Sequence, residues 1–268
     1  MDSLLGYLVP HAPLLLEEQE ERRVATRSGQ ALARIRYQIE RFRPDAILIA
    51  STHWCPPGPF LVDLSTEHHS FADYVGSKPY SYSCPGHPQL GRELLAAGRR
   101  AGREVDSTQD RGLDHGHFVP LCVLVPRTNI PVIPLSTSRR FFEECLRWGE
   151  VIAEMARATQ QRLVFLASGD LSHCPPQAGD GFNNPFGPAG GDADEGEAFD
   201  SLALEYLCAG RGENLWGLDP LLFARATPEA ELRHVFMLLG AVGAHRSAHL
   251  LSYERLADGI GMAILSFT

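Results

Sequence analysis

Short unbroken apolar runs recur along the chain, separated by longer segments in which apolar residues return every three or four positions. The runs at 4–9, 45–51, 130–135, 163–167 and 262–267 predict strands. Because they do not alternate with polar residues, they fit strands covered on both faces, as in parallel sheets. Helical spacing covers 17–43, which Pro44 closes, and then 90–101, 118–125, 141–160, 198–209 and 227–244. Strand and helix alternate throughout, which predicts α/β architecture: one domain over 1–268, with a mostly parallel central sheet and helices on both faces. One segment breaks the pattern. Residues 174–195 are rich in Gly, Pro, Asp and Asn, too long for an ordinary connection, and are expected to form a movable lid beside a site.

Composition narrows the function classes. The 268 residues are 44% hydrophobic, enough for a substantial core, and carry a net charge of -9, which disfavours nucleic acid as a partner. The six cysteines are scattered without a CxxC pair, as expected for reduced thiols in a cytoplasmic protein. The amino terminus lacks the basic, apolar pattern of a secretory signal, and no run approaches the roughly 20 apolar residues of a membrane span. The expectation is a cytoplasmic protein with small-molecule partners, its homo-oligomeric state left open.

Candidate chemistry lies where strands end. His11 follows the first apolar run, His53 follows the second, and His173 follows the run at 163–167 across Ser168-Gly-Asp-Leu-Ser172. Open α/β sheets bind ligands beyond the carboxyl ends of their strands, so these histidines can converge. His115 and His117 lie in Gly112-Leu-Asp-His-Gly-His117, a turn entering an apolar helix and able to face a ligand. His68, His69, His87, His245 and His249 read as ordinary surface or turn residues. Thr227-Pro228-Glu229 reads as a helix start, with Thr as the cap. On that helix Glu231 falls on the apolar side with Val235, Leu238 and Val242, and Glu229 lies nearer its edge. A carboxylate there needs an Arg or a metal. Two histidines and one carboxylate form the facial triad of non-haem Fe(II) oxygenases.

Val9-Pro-His-Ala-Pro13, Ser51-Thr-His-Trp54, Gly112-Leu-Asp-His-Gly-His-Phe-Val-Pro-Leu121, Ser168-Gly-Asp-Leu-Ser-His173 and Glu231-Leu-Arg233 occur in this order over nearly the whole chain. Together they resemble the class III, or LigB-like, extradiol ring-cleavage dioxygenases. The resemblance implies one α/β domain and Fe(II)-dependent cleavage of a catechol by O2, zinc being a substitute an isolated protein can carry. It implies His11, His53 and Glu231 as ligands, His173 as acid–base group and His115 as a hydrogen-bonding partner of the substrate. His117, Asp114 and Pro120 would line the substrate pocket, although His117 stands where a small or uncharged residue is expected. The Ser-Gly-Asp-Leu-Ser-His form also resembles the Memo-like branch, whose members need not be dioxygenases. Two alternatives therefore stand beside the dioxygenase: a Memo-like metal-binding or redox protein, and a zinc hydrolase using the same donor set.

Overall fold

The structure is a computed structural model that describes residues 3–20, 26–70, 80–127, 129–174, 193–256 and 259–267. Its strands are β1 (Leu4–Val9), β2 (Ala46–Ser51), β3 (Phe60–Asp63), β4 (Glu67–His69), β5 (Ser83–Pro85), β6 (Val105–Thr108), β7 (Val132–Ser136), β8 (Leu163–Ser168), β9 (His249–Arg255) and β10 (Gly261–Phe267). Among the described residues, eight of them make one sheet in the order β6-β3-β7-β2-β8-β1-β10-β9, and β4 pairs with β5 apart from it. The centre, β7-β2-β8-β1, is parallel throughout. β10 and β9 close one side antiparallel, and β3 meets β7 antiparallel.

The unbroken apolar runs are buried because both faces of the sheet are covered. Leu8, Leu48, Phe165 and Ala167 point into one core, shared with Trp148, Phe199 and Phe236. Tyr7, Val9, Ile47, Ile49 and Leu166 point into the other, shared with Leu32, Ile35 and Phe118. The helices are α1 (Leu14–Glu20), α2 (Arg27–Phe42), α3 (Pro88–Arg100), α4 (His115–Leu124), α5 (Phe142–Thr159), α6 (Ala193–Cys208), α7 (Pro220–Ala226) and α8 (Arg233–Val242). No described helix is long and apolar enough to cross a membrane.

Two helical expectations need correction. The periodic segment 17–43 is not one helix: α1 begins at Leu14, and α2 begins only after Thr26, whose side chain accepts from the Gly29 amide as an N-cap. The segment 227–244 starts later than its Thr-Pro signature suggests. Thr227 does not open a helix; it sits at φ 42 beyond the end of α7, and α8 starts at Arg233. The strands β3, β4, β5, β6 and β9 and the helix α7 were not anticipated. The expected lid at 174–195 falls largely on 175–192, which lies outside the described residues.

Helix α8 is fixed by a close crossing with α5. A Cβ on Gly149 would overlap the Met237 carbonyl oxygen, and one on Gly240 would overlap that of Leu146. Backbone meets backbone at this crossing, so neither helix can yield through a side-chain rotamer. Gly240→Ala should therefore destabilise the protein by about 1–3 kcal/mol, as overpacking does. Urea unfolding measures this, and an unchanged midpoint would show that the crossing can open without penalty.

Candidate metal centre at the carboxyl edge of the sheet

Three parallel strands end level. Val9 of β1 and Ser51 of β2 are both in register with Ser168 of β8 between them. The ladder runs on by one step, with the Thr52 amide bonded to the Ser168 carbonyl and the Gly169 amide to the Val9 carbonyl. The residues two positions past the level end are His11, His53 and Asp170. The sheet thus delivers two imidazoles and a carboxylate to one edge.

The convergence is tight. His11 Nε2 lies 3.1 Å from His53 Nε2. Oε1 of Glu229 lies 3.4 Å from the first and 3.6 Å from the second. Donors held about 2.1 Å from a common ion at right angles stand roughly 3 Å apart, so these spacings suit three ligands on one face of a metal. His115 is the fourth neighbour, its ring centroid 3.8 Å from that of His53 and 5.2 Å from that of His11. His11, His53 and His115 form one group able to hold a metal ion, and His11, Asp170 and Glu229 form another.

Each donor is aimed from behind. His11 Nδ1 contacts Ser168 Oγ at 3.2 Å, leaving Nε2 for the centre. Glu229 is 2% exposed. Thr52 Oγ1 donates to its Oε1 at 2.6 Å and the Asp170 amide donates to its Oε2 at 2.6 Å. Burial opposes its ionisation, but His11, His53 and His173 outweigh that and hold its carboxyl well below the usual range. His11 is buried too, which disfavours its charge, yet Glu229 raises its pKa to about 9. Burial and then the His11 charge push His53 down to about 4 and His115 to about 3. The cluster tolerates one imidazolium, and the other two rings keep lone pairs.

The carboxylate at this point is Glu229, not Glu231. Residues 229–232 form a 3-10 turn rather than the first turn of an α-helix, with Ala230 at φ 45, Glu231 at φ 53 and Leu232 at φ 60. Helical periodicity therefore does not apply across it. The turn directs Glu229 inward, while Glu231 is 51% exposed at its side chain and pairs with Arg233 at 2.7 Å. Left-handed backbone costs about 1–2 kcal/mol per non-glycine residue, and here three such residues follow one another.

The remaining candidates divide by depth. Asp114 caps α4, accepting from the His117 amide, from Ser51 Oγ at 2.7 Å and from Arg111 at 2.7 Å. His117 is buried behind the site, with Nδ1 2.9 Å from Asp114 Oδ1, and Pro120 is buried within α4. Asp114 and His117 are paired at the start of the helix that carries His115. His173 is half-buried, with Nδ1 3.7 Å from Asp170 Oδ2. His68 proves buried at 1% exposure rather than on the surface.

Sequence reasoning missed three polar residues that surround the His173 turn. Asp170 obeys the same strand-end rule as His11 and His53, so its signal was available. His234 is fully buried, close enough to the turn that a Cβ on Gly169 would stand 2.6 Å from its Nε2. Asp200, also fully buried, accepts from the Ser172 amide at 2.8 Å, Ser172 Oγ at 2.7 Å and Tyr253 Oη at 2.8 Å.

An open, largely parallel sheet with histidines and a carboxylate converging beyond its carboxyl edge defines an α/β protein with a candidate metal centre. The family model described as the catalytic LigB subunit of aromatic ring-opening dioxygenase matches residues 5–267, and the chain belongs to that family. It is 26% identical over 245 residues to a 4,5-DOPA dioxygenase extradiol of Mirabilis jalapa, covering 84% of each chain. It is 25% identical to a 2-aminophenol 1,6-dioxygenase beta subunit of a Pseudomonas species, covering 64% of this chain and 63% of that one. The fold matches the crystal structure of an uncharacterized protein from Escherichia coli K12, with TM-score 0.69 and 17% identity over 98% of this chain and 99% of the other.

Asp114 offers a test of how the edge is held. Burial opposes its charge, but His117, Arg111 and Ser51 keep its carboxyl well below the usual range. A depressed folded-state pKa stabilises above the unfolded value, near 4, and that stability is lost as pH falls below it. Asp114→Asn should cost about 2–3 kcal/mol at neutral pH, the scale of hydrogen bonds to a charged group. The gap from wild type should shrink as pH falls from about 5 toward 3. Urea titrations across that range would expose a pH-independent gap, which would rule out the charge as the cause.

Proposed function

We propose that this chain is an Fe(II)-dependent extradiol dioxygenase that opens a catechol-type ring with O2 beside the ring hydroxyls. The observation that carries the reading is the meeting of His11, His53 and Glu229 within 3.6 Å of one another at the edge of the sheet. Two neutral-ligand nitrogens and one carboxylate leave coordination positions open, as the facial triad requires. Among the described residues no cysteine joins either group of donors. The family and its dioxygenase relatives favour ring cleavage over hydrolysis at the same donor set.

Fe(II) bound there would bring catechol and O2 together and pass electrons between them. The chain's part is to bind, orient and move protons. A catechol hydroxyl must lose its proton to act as an anionic ligand, and a later oxygen leaving group must gain one. His173 suits both transfers: it stands beside the donors without being one of them, and Asp170 backs its Nδ1 at 3.7 Å. Asp170 would orient the ring and steady the imidazolium. His115, its ring centroid 3.8 Å from that of His53 and tilted 53° to it, would hydrogen-bond the substrate or the oxygen-derived group as a neutral imidazole. Asp114, tied to Ser51, caps the helix that carries it.

Anaerobic reconstitution with Fe(II), followed by O2 uptake and absorbance with catechol, DOPA and 2-aminophenol, tests the activity. At least one compound should give stoichiometric O2 consumption and a ring-opened chromophore. O2 uptake without ring opening, or none with iron bound, would count against the proposal. Two sets of variants assign roles. Glu229→Gln should lose iron, while Glu231→Gln should retain most of it by metal analysis. His173→Ala should keep iron and bind catechol yet turn over roughly 10²–10⁴-fold more slowly, whereas iron loss in that variant would make His173 a ligand instead.

A further inference from the structure

Glu229 reaches the imidazoles from a turn that ordinary sequence would not hold. Ala230, Glu231 and Leu232 are consecutive non-glycine residues at φ 45, 53 and 60. Left-handed backbone is normally visited by single residues, not by runs. Such conformations persist only where surrounding contacts over-determine them. We infer that Arg233 is the positioning residue that does so: its guanidinium straps the left-handed turn to the start of α5 and thereby presents Glu229 to the metal. This rests on the reading of Glu229 as a ligand.

Three guanidinium nitrogens have separate tasks. Nη1 donates to the Ala230 carbonyl at 2.9 Å, gripping the turn by its backbone. Nη2 donates to Glu231 Oε2 at 2.7 Å, gripping it by a side chain. Nε donates to the Arg140 carbonyl at 3.0 Å, just ahead of α5. The side chain is 12% exposed, so the grip is shielded from solvent. The α5 anchor is rigid, because α5 and α8 cross backbone to backbone at Gly149 and Gly240.

A planar fork with donors in fixed directions can satisfy these three acceptors together, and a lysine ammonium cannot. The strap touches the turn and not the Glu229 carboxylate, which is held by Thr52 and the Asp170 amide. Arg233 therefore acts on the metal through backbone geometry. This also gives Glu231 a role: its carboxylate is the outer half of the strap.

Co(II) titrated into metal-free protein, followed by calorimetry and visible absorption, reads the site without catalysis. Glu229→Gln is the control for the ligand reading and should lose most of its Co(II) affinity. Arg233→Met should bind Co(II) about 10-fold more weakly, the low end of what orienting partners of metal ligands contribute. Adding Glu231→Gly to Arg233→Met should restore much of that affinity, because glycine takes positive φ without a Cβ penalty. The side chain it removes would already have lost its guanidinium partner. An arginine needed only for general stability would not be rescued at the metal by a glycine. If Arg233→Met does not fold, Arg233→Lys, which keeps charge and loses the fork, carries the same comparison. Wild-type affinity in the Arg233 variant, or a double variant as weak as the single, overturns the strap. Wild-type affinity in Glu229→Gln overturns the ligand reading, and the strap with it.

Discussion

An ionised carboxylate at 2% exposure is the constraint on which this edge of the molecule depends. Burying an isolated charge would cost more than a whole domain's net stability, so Glu229 requires partners that are themselves fixed. Two are hydrogen-bond donors from the strand ends, Thr52 and the Asp170 amide. The others are imidazoles, and their count sets the electrostatics. Glu229 supports one proton on His11, and that charge together with burial keeps His53 and His115 neutral. A divalent cation would replace that shared proton with a stronger partner for the same carboxylate.

The constraint explains why rigid elements meet here. Level strand ends set His11 and His53 by register, which a sheet buried on both faces cannot easily change. Glu229 has no strand to place it and comes instead from a left-handed turn before α8. Strain is tolerable there because the helix behind is locked in contact with α5. Strained backbone held by a stiff surround is a common means of pre-organising a site.

Much of this was legible in sequence, for definable reasons. Unbroken apolar runs mark buried strands, and histidines just past them inherit the position of the strand end. That logic located His11 and His53, and applied once more it would have found Asp170. Glu229 was hidden because Thr227-Pro228-Glu229 carries every local sign of a helix start, while the backbone turns left-handed beyond it for tertiary reasons. Extending helical periodicity through that turn placed Glu231 inward and Glu229 at the edge, the reverse of what the chain does. The strand β6, Val-Asp-Ser-Thr, carries no apolar run; its pairing with β3 makes it a strand. His68 was misjudged because its neighbours are polar, and burial comes from the β4–β5 pairing and the Gly86 backbone beside it.

The proposed division between ligands and proton carriers rests on what stands behind each ring, because depth does not separate them. Glu229 and His11 are buried, whereas the proposed ligand His53 and the proposed proton carrier His173 both keep part of their side chains exposed, 24% and 16%. His115 and His117 show how one helix turn sends neighbouring rings in different directions. Two positions along a helix rotate a side chain about 200°, so one ring faces the centre while the other packs behind it against Asp114 and Trp54. Of the two histidines left outside the proposed facial set, His173 has a carboxylate behind its ring, Asp170, 3.7 Å from its Nδ1. Asp200 fixes the preceding residue, Ser172, through both its amide and its hydroxyl. A group that must accept a proton and return it needs such backing, because its ring has to keep one orientation in both charge states. His115 has a neighbouring imidazole in place of a carboxylate, which suits a neutral hydrogen-bonding partner and opposes protonation. The two histidines differ less in type than in what stands behind them.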